Sequence, residues 1–337
     1  GVDERFWRFH GRDPAQRALT DRQAWLSEAL AQELAGKEGD GILVRMENPS
    51  AIPAESLHGK RDQLGRTVRF SMRGALGAPE LGEFSLRPTQ GAVRAVFVPL
   101  RRLQKEMGQP GKVNTLLLAS GAGAEAAVRE KFELEDLGIR LRTLEERGSL
   151  SLEADSLLLP DALAEKARGV AVKLGMRTQG ILTYLANSIR IGGREVPYSL
   201  VAAIEGEHLA STGASTIVLN EWTARDLGAK AGDTVALDYY LWGADGRLST
   251  SQARFELKGV VPIRGAAADR DLAPEYPGIT DSEELGDWDP PFPIDLKRVR
   301  PRDEEYWERY RTTPKAFLLL ERGQQLWGSR FGRLTAL

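Results

Sequence analysis

A glycine-rich turn in the first half of the chain is the strongest candidate for chemistry. Residues 121–126 read Gly-Ala-Gly-Ala-Glu-Ala, which matches the GxGxxA pattern of dinucleotide-binding turns. We predict a strand at residues 115–119 before this turn and a helix at residues 124–132 after it. Glu145 ends the next predicted strand, where a ribose-binding acid would stand. Gly121 and Gly123 would then let the backbone approach a pyrophosphate at the helix start, as in hydride-transferring enzymes.

Two features that follow the turn favour an ordinary strand, turn and helix without a nucleotide. The strand at residues 139–144 alternates apolar and charged side chains, whereas a central parallel strand is apolar on both faces. No regular series of βαβ units follows. We therefore predict no cofactor. An NAD(P)-dependent oxidoreductase that uses the turn from Gly121 to Gly123 is the alternative function.

Other residue types give weaker signals for a catalytic or metal site. His10, His58 and His208 are far apart and lack a second ligand at metal-binding spacing. The acidic residues between Asp281 and Asp289 could attract Ca²⁺, but their order does not match an EF-hand. We predict no metal site and leave open whether this acidic loop binds Ca²⁺.

The chain also lacks the motifs of common nucleophilic and ATP-dependent enzymes. It contains no GxSxG sequence and no P-loop. It also contains no cysteine, so thiol catalysis, disulfides and Cys-ligated metals are excluded. We predict no catalytic residue and expect a protein that is not an enzyme. Any ATP used in its function would be hydrolysed by another protein.

Composition excludes two further classes of function. Basic and acidic residues nearly cancel, with a formal net charge of −2, which argues against nucleic-acid binding. No run of 18 or more apolar residues occurs, so the chain contains no evident membrane span. The chain starts at Gly1 without Met and reaches Phe6 and Trp7 at once, which we interpret as the start of an excised fragment whose aromatic residues lie in a packed element.

Periodicity predicts the elements that would position any site. A long helix is expected between Thr20, with Gln23 as its capping-box partner, and Gly36. The apolar stripe of this helix would lie on a sheet and consists of Trp25, Leu26, Ala29, Leu30 and Leu34. A second helix is expected after the N-cap Asn220 and before Gly228, which would take a left-handed conformation.

The region between residues 121 and 214 reads as a connected α/β module. It combines the helix and strand described above with a hairpin that turns at Gly192 and joins residues 181–191 to residues 196–204. A further helix in this module has an apolar face formed by Leu163, Ala167, Val170 and Leu174.

Residues 262–315 have little periodicity and contain five prolines between Pro274 and Pro293. An irregular segment of this length is normally disordered or functional. Large aromatic side chains need burial, and this segment includes Trp288, Phe292, Tyr306, Trp307 and Tyr310. We therefore predict that the segment is ordered.

A repeat with a fixed offset of 220 residues indicates internal duplication. Seven residues between Phe97 and Leu117 recur between Phe317 and Leu337, where unrelated sequences would share roughly one or two. The elements before each copy match in order if the strand at residues 42–46 is aligned with residues 217–219. The predicted fold class is α+β, with two related α/β repeat units that have mixed or antiparallel sheets around a middle α/β module. The predicted divisions are residues 1–120, 121–214 and 215–337, the last including the irregular loop 262–315.

The whole chain resembles the extracytoplasmic portion of FtsX-like, MacB-like ABC-transporter permeases. The matching segments are residues 1–7, 44–45, 49–53, 95–100, 183–187, 227–228, 232–235, 259–261, 287–295 and 314–335. The run Trp288-Asp289-Pro290-Pro291 and the run from Pro314 to Phe317 are similar to a subgroup with large loops. The helix followed by Gly-Asp and two strands is shared more widely among such domains.

The resemblance implies a periplasmic core domain with a porter-like α/β part and a β-rich, sabre-like part. It implies an extracytoplasmic position on the bacterial inner membrane, where the domain transmits motion or contacts cargo without catalysis. Its partners would be a cytoplasmic ABC ATPase, a second permease subunit in a dimer or heterodimer, and an extracytoplasmic protein. A strand and helix would precede Gly1, and a membrane helix would lie on each side of the domain.

Overall fold

The computed structural model describes residues 1–47, 51–53, 56–57, 65–88, 90–206, 213–243 and 246–337. The chain is a mixed α+β protein, as predicted. It falls into two compact units, one of residues 1–49 and 62–131 and one of residues 50–61 and 132–337. The sequence divided the chain into three parts. The difference arises because strands of the predicted middle module join the sheet of the last part.

The elements of the first unit are α1 (Glu4–Phe9), β1 (Gln23–Ser27), α2 (Glu28–Glu33), β2 (Gly41–Met46), β3 (Arg66–Leu76), β4 (Val96–Phe97), α3 (Leu100–Glu106) and α4 (Ala124–Lys131). Its four strands form one sheet in the order β2-β3-β1-β4. Trp7 of α1 is buried, and its ring centroid lies 5.9 Å from that of Phe97. The N-terminal aromatic residues therefore lie in a packed element, as predicted.

The predicted helix from Thr20 to Gly36 is wrong in its first half. Residues 23–27 form β1, the strand between β3 and β4, and the helix begins only after Ser27. Ser27 Oγ caps it by accepting the backbone N–H of Leu30 at 3.3 Å. Gln23 Oε1 does accept the backbone N–H of Thr20, but this contact closes a turn before a strand. Pairing on both edges of β1 outweighs the helical spacing of its apolar residues.

The strand predicted at residues 115–119 is also wrong, since these residues have no strand partner. Leu116 is 74% exposed, and Leu118 is exposed as well. The residues at offset 220 are different, because Leu334 and Ala336 are buried and form β-bridges with other segments. The last part of the repeated window therefore has unlike structures in its two copies.

The elements of the second unit are β5 (Ile139–Leu144), β6 (Ser149–Ala154), α5 (Asp161–Lys173), β7 (Ile181–Ile191), β8 (Arg194–Ile204), β9 (Thr216–Asn220), α6 (Glu221–Leu227), β10 (Thr234–Trp242), β11 (Leu248–Val261), α7 (Pro301–Tyr310), β12 (Ala316–Leu319) and α8 (Leu320–Trp327). Six of its strands form a closed barrel in the order β10-β11-β9-β12-β8-β7, in which β7 pairs back with β10. The hairpin at Gly192 and the helix α4 are confirmed. Helix α5 exists, but Val170 and Leu174 on its predicted apolar face are exposed.

Helix α6 has the predicted ends. Asn220 Oδ1 accepts the backbone N–H of Thr223 at 2.8 Å, and Gly228 has φ 62°. The irregular segment 262–315 is ordered by its aromatic residues, since Trp288, Phe292, Tyr306 and Trp307 are buried. Trp288, Phe292 and Trp307 belong to the hydrophobic core that also contains the barrel strands.

Both units order and pair four strands in the same way. Strand β1 is parallel to β3 and antiparallel to β4, while β9 is parallel to β11 and antiparallel to β12. Both parallel pairs have a register shift at the same place. In the first pair β3 has one extra residue between Met72 and Gly74, and in the second β11 has one extra residue between Leu257 and Gly259. By strand order, β9 occupies the position of β1 and not that of β2, so the strand order does not follow the predicted alignment of residues 42–46 with residues 217–219.

Candidate functional site

The residues of the predicted dinucleotide turn do not form a site in the described parts of the chain. Gly121 and Gly123 are exposed, and no heavy atom lies within 4 Å of the position that a Cβ would occupy on either. Glu145 is exposed and belongs to the other compact unit. Since the strand at residues 115–119 is absent, the turn lacks the strand that would position it against a pyrophosphate.

The candidate metal ligands are also separate. Among the described residues, no group of three or more His, Asp or Glu side chains is placed to hold a metal ion. His10 packs against the rings of Phe6 and Phe84, whereas His58 and His208 lie outside the described residues. In the acidic loop, Asp281 Oδ1 accepts the backbone N–H of Gly278 at 2.8 Å.

The second unit contains a narrow cleft between the barrel and the irregular segment. The cavity volume is about 10 Å³, which is room for about one water molecule. The side chains that line the cleft are Tyr198, Leu200, Leu285, Trp288, Asp303, Tyr306, Trp307, Arg311, Thr313 and Lys315. Two segments that the sequence analysis singled out, 287–295 and 314–335, each contribute to this cleft.

Lys315 is the most unusual residue of the cleft, because it is only 4% exposed. Its backbone is fixed between two strands, since its N–H donates to Leu200 O at 2.8 Å and its carbonyl accepts the N–H of Asn220 at 3.0 Å. Nζ lies 5.0 Å from the ring centroid of Trp222 and 4.7 Å from that of Tyr306. Within the described chain, the ammonium group forms no hydrogen bond or ion pair. Burial lowers the pKa of Lys315 to about 8.

Asp303 lines the same cleft but is committed to another cation. Its Oδ1 accepts from Arg300 Nη2 at 2.7 Å, and its Oδ2 accepts from Arg300 Nε at 2.8 Å and from the Arg300 backbone N–H at 2.9 Å. Arg300 Nη2 also lies 2.7 Å from Asp226 Oδ2. The hydrogen bonds to Asp303 raise the pKa of Arg300. Arg300 therefore balances the buried carboxylate of Asp303. Asp303 and Asp226 also favour the charged form of Lys315 by electrostatic attraction, but no described carboxylate lies within ion-pair distance of its ammonium group.

Tyr306 supports Lys315 without offering its hydroxyl group to the cleft. Its OH accepts from Asn220 Nδ2 at 2.9 Å and donates to Thr313 O at 3.0 Å. Asn220 Nδ2 also donates to Pro314 O at 3.0 Å. Burial raises the pKa of Tyr306, so the hydroxyl stays protonated. This network holds the aromatic ring beside the ammonium group.

Trp288 supplies a second polar group with unused hydrogen-bonding capacity. It is 6% exposed, packs edge-on against Trp307 at 4.9 Å, and its Nε1 is buried without a hydrogen-bond partner. The other cation of the cleft, Arg311, donates to Ser282 O and Glu283 O at 3.0 Å. The sequence did not predict a role for Lys315. The feature that could have indicated it is a lysine directly before β12 (Ala316–Leu319), a strand that pairs on both sides with the buried strands β8 and β9.

No protein-family model matches this chain, and a search of curated proteins finds no match. None of the helices in the described ranges is both long enough and apolar enough to cross a bilayer.

Proposed function

We propose that this chain is a non-catalytic, extracytoplasmic domain of an FtsX-like or MacB-like ABC-transporter permease. It would couple the cycle of a cytoplasmic ATPase to the handling of an extracytoplasmic substrate. The observation that carries the proposal is the joint packing of segments 287–295 and 314–335, in which the sequence resemblance is densest. Trp288, Phe292, Trp327 and Leu334 from these segments are buried in one hydrophobic core.

We further propose that the two units arose by internal duplication. The equal strand order and the equal position of the register shift support it. Equivalent hydrogen bonds from a backbone N–H to an aspartate side chain recur at the turns after α2 and α6. The Lys37 N–H donates to Asp40 Oδ2 and the Lys230 N–H to Asp233 Oδ2, each at 2.7 Å. A Lys-x-Gly-Asp turn is thus built twice in the same way.

The closed barrel suits a mechanical role. Every strand of the barrel is hydrogen-bonded on both edges, and its core is packed with side chains from the barrel strands and the irregular segment. A domain passes motion to a partner only if it moves as a packed body. In the proposed transporter, the partners would be the cytoplasmic ATPase, a second permease subunit and an extracytoplasmic protein.

The parent open reading frame tests the permease proposal. A domain that hangs from a membrane requires an apolar helix of roughly 20 residues soon after Leu337 and another before Gly1. Finding both would support the proposal. A stop codon shortly after Leu337, or hydrophilic sequence on both sides, would defeat it.

The oxidoreductase alternative is separated by a direct binding experiment. Titration with NAD(P)H, followed by the intrinsic fluorescence of the seven tryptophans, should show no saturable change up to roughly millimolar ligand, a range that detects weak sites. Saturable binding that disappears in Gly121→Ala or Gly123→Ala would reverse the ranking of the two functions.

A further inference from the structure

The cleft of the second unit contains two hydrogen-bond donors that no described protein group satisfies. Lys315 Nζ lies over the rings of Trp222 and Tyr306 and has no hydrogen-bond acceptor among the described residues, and Trp288 Nε1 is buried without a partner. Buried polar groups in native proteins nearly always have a hydrogen-bond partner. Both residues have more than nine-tenths of their surface buried and line the same small space. An acceptor from outside the chain would satisfy both.

The fold itself does not require a lysine at position 315. The equivalent residue in the first unit is Ala95, whose carbonyl accepts the N–H of Ser27, just as the Lys315 carbonyl accepts the N–H of Asn220. Trp288 belongs to the irregular segment, which is much longer than the connection between β3 and β4 in the first unit. The second unit therefore has both the lysine and the long segment that lines its cleft. The first unit has an alanine at the equivalent position and a shorter connection.

The charges around the cleft favour an anion as the acceptor. Asp303 and Asp226 lie nearby but are paired with Arg300, and Arg302 also pairs with Asp226. The faces of Trp222 and Tyr306 stabilise the charged form of Lys315 on one side, by cation–π attraction. Asp303 and Asp226 attract the ammonium group but do not pair with it directly. A buried ammonium group without a direct ion pair is costly, and an anion in contact with it would offset that cost.

We propose that this cleft is a binding site for one small monovalent anion of about the size of chloride, held by Lys315 Nζ and Trp288 Nε1. The small volume excludes an organic ligand from the enclosed part of the cleft. The aromatic and aliphatic walls favour a weakly hydrated anion over a multivalent one, whose desolvation costs more. The anion would link the irregular segment to the barrel at the strand that carries Lys315. This proposal does not depend on the permease assignment.

Chloride NMR on the whole chain tests the site in wild type and variants. At constant ionic strength, with gluconate as the balancing anion, the chloride line should broaden with protein, and bromide should reverse the broadening. Trp288→Phe, which removes one donor and retains an aromatic ring, should weaken binding about tenfold. Lys315→Met should abolish the broadening. Lys166→Met, at an exposed position of α5, is the matched control and should behave as wild type.

A second measurement on the wild type keeps the proposal testable if the variants fold poorly. Bromide-soaked crystals should show an anomalous peak within hydrogen-bond distance of both Lys315 Nζ and Trp288 Nε1. Equal line broadening in wild type and Lys315→Met, or bromide density only outside the cleft, would overturn the proposal. Displacement of chloride by perchlorate in preference to bromide would refute the assigned size, because perchlorate is the larger anion.

Discussion

Lys315 should make the stability of the second unit depend on pH in a direction opposite to that of an ordinary ion-paired lysine. Its folded-state pKa is about 8, whereas a free lysine side chain titrates near 10.5. Between these values the unfolded state binds more protons than the folded state, so the free energy of unfolding rises with pH. Below the folded pKa both states are protonated, and the cost of the buried charge is fully present.

The size of this effect follows from the two pKa values. Each tenfold difference in proton affinity corresponds to about 1.4 kcal/mol, so the complete rise is about 3 kcal/mol. Only part of it is reached before tyrosine side chains of the unfolded chain begin to ionise. From about pH 7 to about pH 9.5, Lys315 should add about 2 kcal/mol to the free energy of unfolding.

Urea unfolding of wild type and Lys315→Met, at several pH values in chloride-free gluconate buffer, measures the effect. The curves of the two proteins should diverge as pH rises, with wild type gaining stability relative to the variant. Lys166→Met should remain parallel to wild type, because its side chain is exposed. Chloride should move the divergence to higher pH, since a bound anion favours the charged amine. Parallel curves for wild type and Lys315→Met would refute the assignment of a lowered pKa.

Two further predictions concern the left-handed residues after α6 and α2, and the buried carboxylate of Asp226. Gly228→Ala should lower the free energy of unfolding by about 1 kcal/mol, because Gly228 has φ 62°. Ala35→Gly, at the equivalent position with φ 48°, should raise it by about 0.3–1 kcal/mol. Urea unfolding measures both changes. Equal signs for the two changes would contradict the equivalence of the positions. Asp226→Asn should cost about 1–3 kcal/mol because the buried carboxylate pairs with Arg300 and Arg302, and an unchanged midpoint would show that the network adds no stability.

Local signals were sufficient where one segment determines its own structure. The cap at Asn220, the left-handed Gly228 and the hairpin at Gly192 depend on residues within a few positions of each other. They were predicted correctly because side-chain capping and positive φ are local properties. The burial of the aromatic residues in segment 262–315 was predicted for a similar reason, since aromatic side chains require a core wherever they pack.

Tertiary pairing decided the elements that sequence reasoning missed. Residues 23–27 have helical spacing, but β3 and β4 pair with them on both sides and hold them as a strand. Residues 115–119 have a strand-like composition, but they pair with no strand, and Leu116 and Leu118 are exposed. The cleft was missed because Leu200, Trp288 and Lys315 are distant in sequence. No spacing rule connects residues that meet only through a barrel.

The changing offset between the two units explains why a gapless comparison found only part of their similarity. Equivalent residues are 193 apart for β1 and β9, 185 apart for β3 and β11, and 220 apart for β4 and β12. The increase from 185 to 220 places 35 additional residues before β12, within segment 262–315. Trp288 lies in that longer segment, and Lys315 stands at its end. The cleft therefore lies at the connection that is longer in the second unit, which is where a function specific to that unit would be expected.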